Sequence, residues 1–120
     1  MSSASSVILQ YVVVRSDLGW PLGALVAQAC HASSAAIAVA LRKQDEATQT
    51  YVDNLDSMHK VILEAKDETS LKKLEEALKE NSVEHKLWTE QPENIYTCLA
   101  TKPYAKEDIQ KYFKKFKLLK

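Results

Sequence analysis

The sequence predicts an α/β fold with three layers, α/β/α, built on a small four-stranded mixed sheet. Two observations lead to this prediction. Runs rich in β-branched and aromatic residues alternate along the chain with helical patterns, and one long uncharged helical segment follows the first run. Such alternation is typical of a parallel or mixed sheet with helices on both faces. We therefore expect the element order β-α-α-β-α-β-β-α.

The first two elements are a strand over residues 7–15 and a long helix within residues 19–41. The run VILQYVVVR has little polarity, which is typical of a strand buried on both faces at the centre of a sheet. The helical run GWPLGALVAQACHASSAAIAVAL has no charged residue, and Pro21 suits a first helical turn. It is long enough to span a membrane, but Ala, Ser, Gln and His supply most of it, where a span needs mostly larger apolar residues. We expect a packed interior helix and no membrane contact.

The remaining elements follow from local patterns of capping and periodicity. In chain order we expect a short helix with Asp45 as its N-cap, a strand over 58–65, an amphipathic helix capped by Asp67, strands over 84–89 and 95–101, and a closing helix over 105–119. The apolar side chains of the closing helix are spaced to face inward, at Ile109, Tyr112, Phe113 and Phe116.

Length and composition indicate one domain over residues 7–120, preceded by a flexible N-terminus over residues 1–6. The two cysteines, Cys30 and Cys98, are far apart and have neither metal-site nor disulfide spacing, so we expect no metal and no cofactor. We expect Cys30 to be a small buried hydrophobe. A reducing, cytoplasmic setting fits this cysteine usage, and the lack of a basic residue before Arg15 counts against a targeting segment.

The charges balance over the whole chain but are unevenly distributed, because residues 102–120 are rich in lysine. A basic segment of this kind permits contact with the phosphate backbone of a nucleic acid. The candidates for that contact are Lys111, Lys114 and Lys115. The alternative is that these lysines form an ordinary solvated face.

Polar residues gather where the first strand gives way to the long helix. Ligands of α/β sheets usually bind at the carboxyl ends of strands beside a helix N-terminus, which here means residues 15–24. Arg15 and Asp17 follow the strand, and Gln28 and His31 lie about one turn apart in the helix. The alternative interpretation is that Arg15 and Asp17 pair only with each other, and that His31 and Gln28 are hydrogen-bonded packing residues.

These residues carry a resemblance to a known family. The chain resembles the type 2 peptidyl-tRNA hydrolases of archaea and eukaryotes, whose opening reads R-x-D-L and then G-K-x-x-A-Q-x-x-H-A. The matching positions are Arg15, Asp17, Leu18, Gly23, Ala27, Gln28, His31 and Ala32. Weaker similarity continues through MHKVILEAKDETSLKKLEEAL to LATKPY and KKFKLLK. The resemblance implies a peptidyl-tRNA or tRNA partner, a homodimer, and hydrolysis of the ester between peptide and tRNA.

The resemblance also implies roles for individual residues. Glu90 takes the place of a family aspartate as base or water-orienting group, with His31 as its catalytic partner. Substrate contacts are implied for Arg15, Asp17, Trp20, Gly23, Ala24, Gln28 and Asn94. First-turn amides near Gly23 and Ala24 are expected to stabilise part of the oxyanion.

Two departures from the family pattern bear on activity. Ala24 stands where the family has lysine, and the segment Glu90-Gln91-Pro92-Glu93-Asn94 is shorter than its family counterpart. We therefore expect slow hydrolysis, with a non-catalytic tRNA- or protein-binding module of the same fold as the alternative. On residue type alone, Glu90 is an ordinary solvated carboxylate, and Trp20 and Trp88 are packing residues.

Overall fold

The computed structural model describes residues 7–120, which form one mixed sheet and four helices. The predicted flexible N-terminus, residues 1–6, lies outside the described residues. The strands are β1 (Ile8–Arg15), β2 (His59–Ala65), β3 (His85–Glu90), β4 (Ile95–Thr101), β5 (Tyr104–Ala105) and β6 (Lys117–Leu118). The helices are α1 (Leu22–Arg42), α2 (Glu46–Asp53), α3 (Glu68–Glu80) and α4 (Lys106–Ile109), with 3-10 turns at Leu55–Ser57 and Gln110–Tyr112.

The sheet has the strand order β3-β4-β1-β2-β6, and the short β5 pairs with β1. β1 and β2 are parallel, whereas β4 is antiparallel to both β1 and β3. As a result β1, β2 and β3 all finish at one end of the sheet, at Arg15, Ala65 and Glu90, which we call the carboxyl end. The predicted central position of β1 is confirmed, because its residues from Leu9 to Val14 are buried.

The four predicted strands and the first three predicted helices are present, but the four-stranded sheet and the long closing helix are wrong. The sheet has six strands, and only Lys106–Ile109 of the predicted 105–119 helix is α-helical. Residues 117 and 118 pair instead with β2, and the Leu119 amide donates to the Ile62 carbonyl at 3.0 Å. The free edge of β2 offers unpaired backbone N–H and C=O groups. Pairing them with the C-terminal segment is more favourable than continuing the helix through these residues.

Each face of the sheet has its own apolar cluster, which gives the three layers. α1 covers Val12, Val14, Cys98 and Ala100 on one face. On the other face, α3 and the C-terminal segment cover a larger cluster that includes Leu9, Tyr11, Val13, Leu63, Leu71, Leu78, Leu99, Ile109 and Phe113. The inward positions predicted for the C-terminal segment are confirmed: Ile109 and Phe113 are buried, and Tyr112 and Phe116 pack against this cluster.

Both predicted N-caps are present. The Asp45 carboxylate accepts the Thr48 amide at 3.0 Å, and the Asp67 carboxylate accepts the Ser70 amide at 2.8 Å. Each bond satisfies one of the amides that the first turn of a helix leaves without an intrahelical partner.

Within residues 7–120, α1 is the one helix long and apolar enough to cross a membrane, yet one side of it packs against the sheet. The prediction for Cys30 was wrong. This cysteine is exposed, because it lies on the side of α1 turned away from the sheet. Cys98 is buried in β4, and burial raises the pKa of its thiol to about 12. Cys98 therefore stays protonated and unreactive near neutral pH.

A buried polar network fixes the position of α1 on the sheet. Gln10 in β1 is fully buried, and its Nε2 donates to the carbonyls of Ser33 at 3.1 Å and Thr101 at 2.9 Å. Its Oε1 accepts from Ser33 Oγ and from Lys60 Nζ, each at 2.7 Å. Because all four bonding positions of the amide are used, sliding α1 along the sheet would leave buried groups unpaired. The helix residues of the predicted site are thereby held in a fixed register over β1 and β4.

Candidate functional site

A β-bulge at Thr97 shapes the sheet beside the predicted site. Trp88 pairs with Cys98 and Thr89 pairs with Tyr96, so Thr97 is left without a partner on β3. Its hydroxyl donates instead to Gln28 Oε1 of α1 at 2.7 Å, and both residues are buried. Bulges commonly re-aim a side chain next to a functional site. Here the bulge connects β4 to the predicted substrate-binding residue Gln28.

Trp88 connects the two predicted catalytic residues. Its indole Nε1 donates to Glu90 Oε1 at 3.0 Å, and its ring stacks on the His31 imidazole with 4.7 Å between centroids and 12° between planes. Glu90 is half-buried at the end of β3, and His31 is exposed on α1. One indole thus contacts both groups on the α1 face of the sheet, with the carboxylate at its edge and the imidazole against its ring face. Such a pair can orient water and transfer protons.

Sequence reasoning missed this role of Trp88, which it assigned to packing alone. Trp88 does pack against the apolar cluster under α1. The available signal was its spacing from Glu90, since strand residues two apart point to the same face of a sheet. The contact with His31 depends on how α1 crosses β3, which no local pattern reports.

Arg15 and Asp17 pair with each other, as the alternative interpretation had it. Arg15 Nε and Nη2 donate to the two carboxylate oxygens of Asp17, each at 3.0 Å. Arg15 Nη1 also donates to the Tyr96 carbonyl at 2.9 Å, which ties the loop after β1 to β4. The bonds from Arg15 lower the pKa of Asp17, and they raise the pKa of Arg15. The pair therefore remains charged at neutral pH and braces the carboxyl end of the sheet.

The start of α1 lies where the sequence predicted it, but the Ala24 amide is not free to bind an oxyanion. Ala24 is half-buried, and its amide donates to the Pro21 carbonyl at 3.0 Å. The expectation that this amide stabilises an oxyanion is therefore wrong, because the helix's own first turn already uses it. Gly23 is exposed with open space around it, and Trp20 is half-buried just before the helix.

Asn94 closes the turn between β3 and β4. Its amide donates to the Glu90 carbonyl at 2.7 Å, and its side-chain oxygen accepts from Gln91 Nε2 at 3.2 Å. Its φ of +58° is one that asparagine tolerates better than most residues. The structure thus gives Asn94 a part in holding the loop that carries Glu90.

The C-terminal lysines lie away from this group. Lys111 and Lys115 line a cleft beside α3, on the face of the sheet opposite α1. Lys114 is exposed in the same segment. Among residues 7–120, no group of three or more His, Cys, Asp and Glu side chains is placed to hold a metal ion.

Comparison with known proteins identifies the class of protein. The chain belongs to the peptidyl-tRNA hydrolase family PTH2, whose model matches residues 8–119. The family that the sequence motif indicated is thereby confirmed. Two relatives, from Mus musculus and Homo sapiens, are each 50% identical over 119 residues, covering 95% of this chain and 84% of the relative, and each bears the name "Putative peptidyl-tRNA hydrolase PTRHD1". A protein of the archaeon Methanothermobacter thermautotrophicus, named "Peptidyl-tRNA hydrolase", is 32% identical over 115 residues, covering 92% of this chain and 98% of the relative.

Proposed function

We propose that this protein hydrolyses the ester between a peptide and the ribose at the 3′ end of tRNA, releasing free tRNA, and that it does so slowly. Family membership and the name of the archaeal relative support the reaction class. The observation that carries the proposal is that Glu90 and His31 both contact Trp88, Glu90 at the indole N–H and His31 on the ring face. We place the reaction in the cytoplasm.

The proposed mechanism assigns each group a step. The Glu90 carboxylate orients a water and accepts its proton as the water attacks the ester carbonyl. The Trp88 N–H holds one carboxylate oxygen and so aims the other. His31 donates a proton to the departing ribose oxygen. Because Thr97 holds Gln28 Oε1, the amide nitrogen of Gln28 is the donor that we assign to the developing oxyanion.

We attribute the slow rate to the absence of a lysine side chain at position 24. The resemblance places a lysine there, whose ammonium would stabilise the negative charge that develops on the ester carbonyl. Ala24 has no such group. Removal of one oxyanion donor in other enzymes lowers the rate by about 10²–10³-fold. We propose a loss of the same order here.

The Glu90→Gln variant tests the mechanism. Glutamine keeps an oxygen that can accept the Trp88 N–H but cannot take a proton from water, so we expect hydrolysis of an N-acetyl-aminoacyl-tRNA to fall at least tenfold. The measurement is release of the N-acetylated amino acid in single-turnover assays. Glu93→Gln, the same change within the same loop, is the control and should match the wild type. Equal rates for both variants would remove the role assigned to Glu90.

A non-catalytic binding module is the alternative, and Ala24 and the short segment from Glu90 to Asn94 favour it. The Arg15 guanidinium donates hydrogen bonds to Asp17 and to the Tyr96 carbonyl, so it stabilises the fold and is not free to bind substrate. A module of this kind would bind tRNA with the same affinity in the wild type and in Glu90→Gln, and neither form would turn over.

We also propose a homodimer that uses the outer face of α1. A surface helix normally carries charged residues on its solvated side, yet α1 has none before Arg42. Val26 is 50% exposed and Leu41 is 37% exposed on this side, and Cys30 lies between them. Covering this uncharged face with a second copy would remove its apolar atoms from water.

The dimer is tested by sedimentation of the purified protein at micromolar concentration. We expect the wild type to sediment at twice the chain mass and Val26→Glu to sediment as a monomer, because the variant buries an unpaired carboxylate at the interface. Leu55→Glu is the control, since Leu55 is 69% exposed and belongs to the 3-10 turn at Leu55–Ser57 rather than to α1. A monomeric wild type, or a Val26→Glu variant that still dimerises, would contradict the assignment.

A further inference from the structure

A cleft of about 640 Å³ lies between α3 and the C-terminal segment, on the face of the sheet opposite α1. We call it the lysine cleft. Its lining includes five lysines and one carboxylate, that of Glu64; the lysines are Lys66, Lys73, Lys111, Lys115 and Lys117. Cations thus come together here from the end of β2, from α3 and from the C-terminal segment. Two of them, Lys111 and Lys115, are phosphate-contact candidates from the sequence, and the fold adds the other three.

Among the residues that the structure describes, none of the lysines of this cleft has a carboxylate partner, whereas two lysines elsewhere in the molecule do. Lys43 pairs with Glu84, and Lys102 pairs with Asp45 and Glu84. No ion pair within residues 7–120 includes any of the five lysines of the lysine cleft. Ammonium groups that outnumber carboxylates five to one in a concave surface raise the local concentration of anions. The cleft is therefore built to receive negative charge from outside the chain.

The other residues of the cleft indicate a ligand larger than a single ion. Leu74, Ala77, Tyr112 and Phe116 supply apolar surface between the lysines, and the Lys111 ammonium lies 5.4 Å from the centre of the Tyr112 ring. A nucleic-acid strand offers phosphates to the lysines, and its sugars and bases offer flat and apolar surface to the rings.

The cleft opens toward the same end of the sheet as the catalytic residues. Lys66 directly follows β2, and Lys117 pairs with Glu64 one residue before β2 ends. Four strand spacings separate β3, which ends at Glu90, from β6, which begins at Lys117, a distance of about 19 Å. A stacked strand advances about 3.4 Å per nucleotide. An RNA whose 3′ end lies at Glu90 would therefore need more than about six nucleotides to reach the cleft, because it must also pass from the α1 face to the opposite face.

We infer that the lysine cleft binds the phosphate backbone of the RNA whose esterified 3′ end is held between Glu90 and His31. This inference rests on the proposed function, because it takes the substrate's RNA as the ligand. It adds a second contact area, on the opposite face of the sheet, which recognises the body of the RNA rather than the ester. It also predicts that substrates differ according to how much RNA they carry.

The test compares two double variants. Lys73→Gln/Lys115→Gln removes two charges from the cleft, and the control Lys79→Gln/Lys86→Gln removes two charges outside it, at the end of α3 and the start of β3. Each full-length protein is assayed on an N-acetyl-aminoacyl-tRNA and on the same amino acid esterified to adenosine alone. We expect the cleft variant to lose about tenfold in kcat/KM on the tRNA substrate and nothing on the adenosine ester. The control variant should match the wild type on both substrates.

A binding measurement separates failure of this inference from failure of the proposed function. In fluorescence titrations with deacylated tRNA, the cleft variant should show a slope of log affinity against log salt concentration that is shallower by roughly two. Absence of hydrolysis on both substrates would refute the proposed reaction, yet this shallower slope would still support the cleft. Affinity and slope equal to those of the control variant would overturn the cleft. Loss of binding to anionic phospholipid vesicles, with tRNA binding unchanged, would overturn it as well.

Discussion

Replacing Ala24 with lysine is expected to raise the rate of peptidyl-tRNA hydrolysis by about 10²–10³-fold. Position 24 lies in the first turn of α1, and the side chain is half-exposed beside Gly23, where the space is open. A lysine there would extend from the helix turn that follows the carboxyl end of β1. Its ammonium would supply the positive charge that the Ala24 amide cannot, because that amide is bonded to the Pro21 carbonyl.

Ala24→Lys is also expected to lower the free energy of unfolding, which should be measured together with the hydrolysis rate. A cation in the first turn faces the positive end of the helix dipole, which typically costs 0.3–1 kcal/mol. Ala24→Met is the matched control, since it adds a side chain of similar length without charge. We expect single-turnover rates to rise for lysine and to stay at the wild-type level for methionine. Equal rates in the wild type and both variants would show that position 24 does not limit the chemistry.

The sequence predicted the long elements of this fold because each carries its own local signal. The Asp45 and Asp67 caps and the apolar run of β1 require no information from distant residues. Strands β5 and β6 have two residues each, which is too short for an alternating pattern to be visible. The predicted closing helix is wrong for a related reason. Residues that a local pattern assigned to the helix pair instead with the edge strand β2.

In the candidate site, too, local sequence patterns gave some features, and contacts between distant residues decided the others. The motif located Arg15, Gln28 and His31, because their spacing along the chain is fixed. It could not show that Thr97 holds Gln28, which depends on a bulge in β4, or that Trp88 stacks on His31, which depends on where α1 crosses β3. The Arg15 and Asp17 pair was foreseen only as an alternative, since a sequence does not report which of two partners a charged group takes.

Replacing Asp45 with alanine is expected to destabilise the protein by about 2–3 kcal/mol. The Lys102 side chain is largely buried, and its ammonium donates to Asp45 Oδ1 and lies 3.7 Å from Glu84 Oε2. Burial disfavours the charged Lys102, but the bond to Asp45 outweighs it and raises the pKa of Lys102. Without Asp45 that charge stays buried with a weaker partner, and α2 loses its cap, which alone is worth about 1 kcal/mol.

The double variant Asp45→Ala/Lys102→Met separates the buried charge from the cap. It leaves no unpaired ammonium, so it should recover most of the loss when urea unfolding is compared with that of Asp45→Ala. The pH dependence gives a second readout. Burial would raise the pKa of Asp45, but bonds from Lys102 and Thr48 outweigh it and lower the pKa.

A carboxyl group with a lowered folded-state pKa contributes stability above its unfolded pKa of about 3.9 and loses it as the pH falls below that value. The wild type should therefore lose more stability than either variant between about pH 5 and pH 2, since only the wild type has the Asp45 carboxylate to protonate. Parallel pH profiles for all three proteins would mean that the bond between Lys102 and Asp45 contributes no net stability.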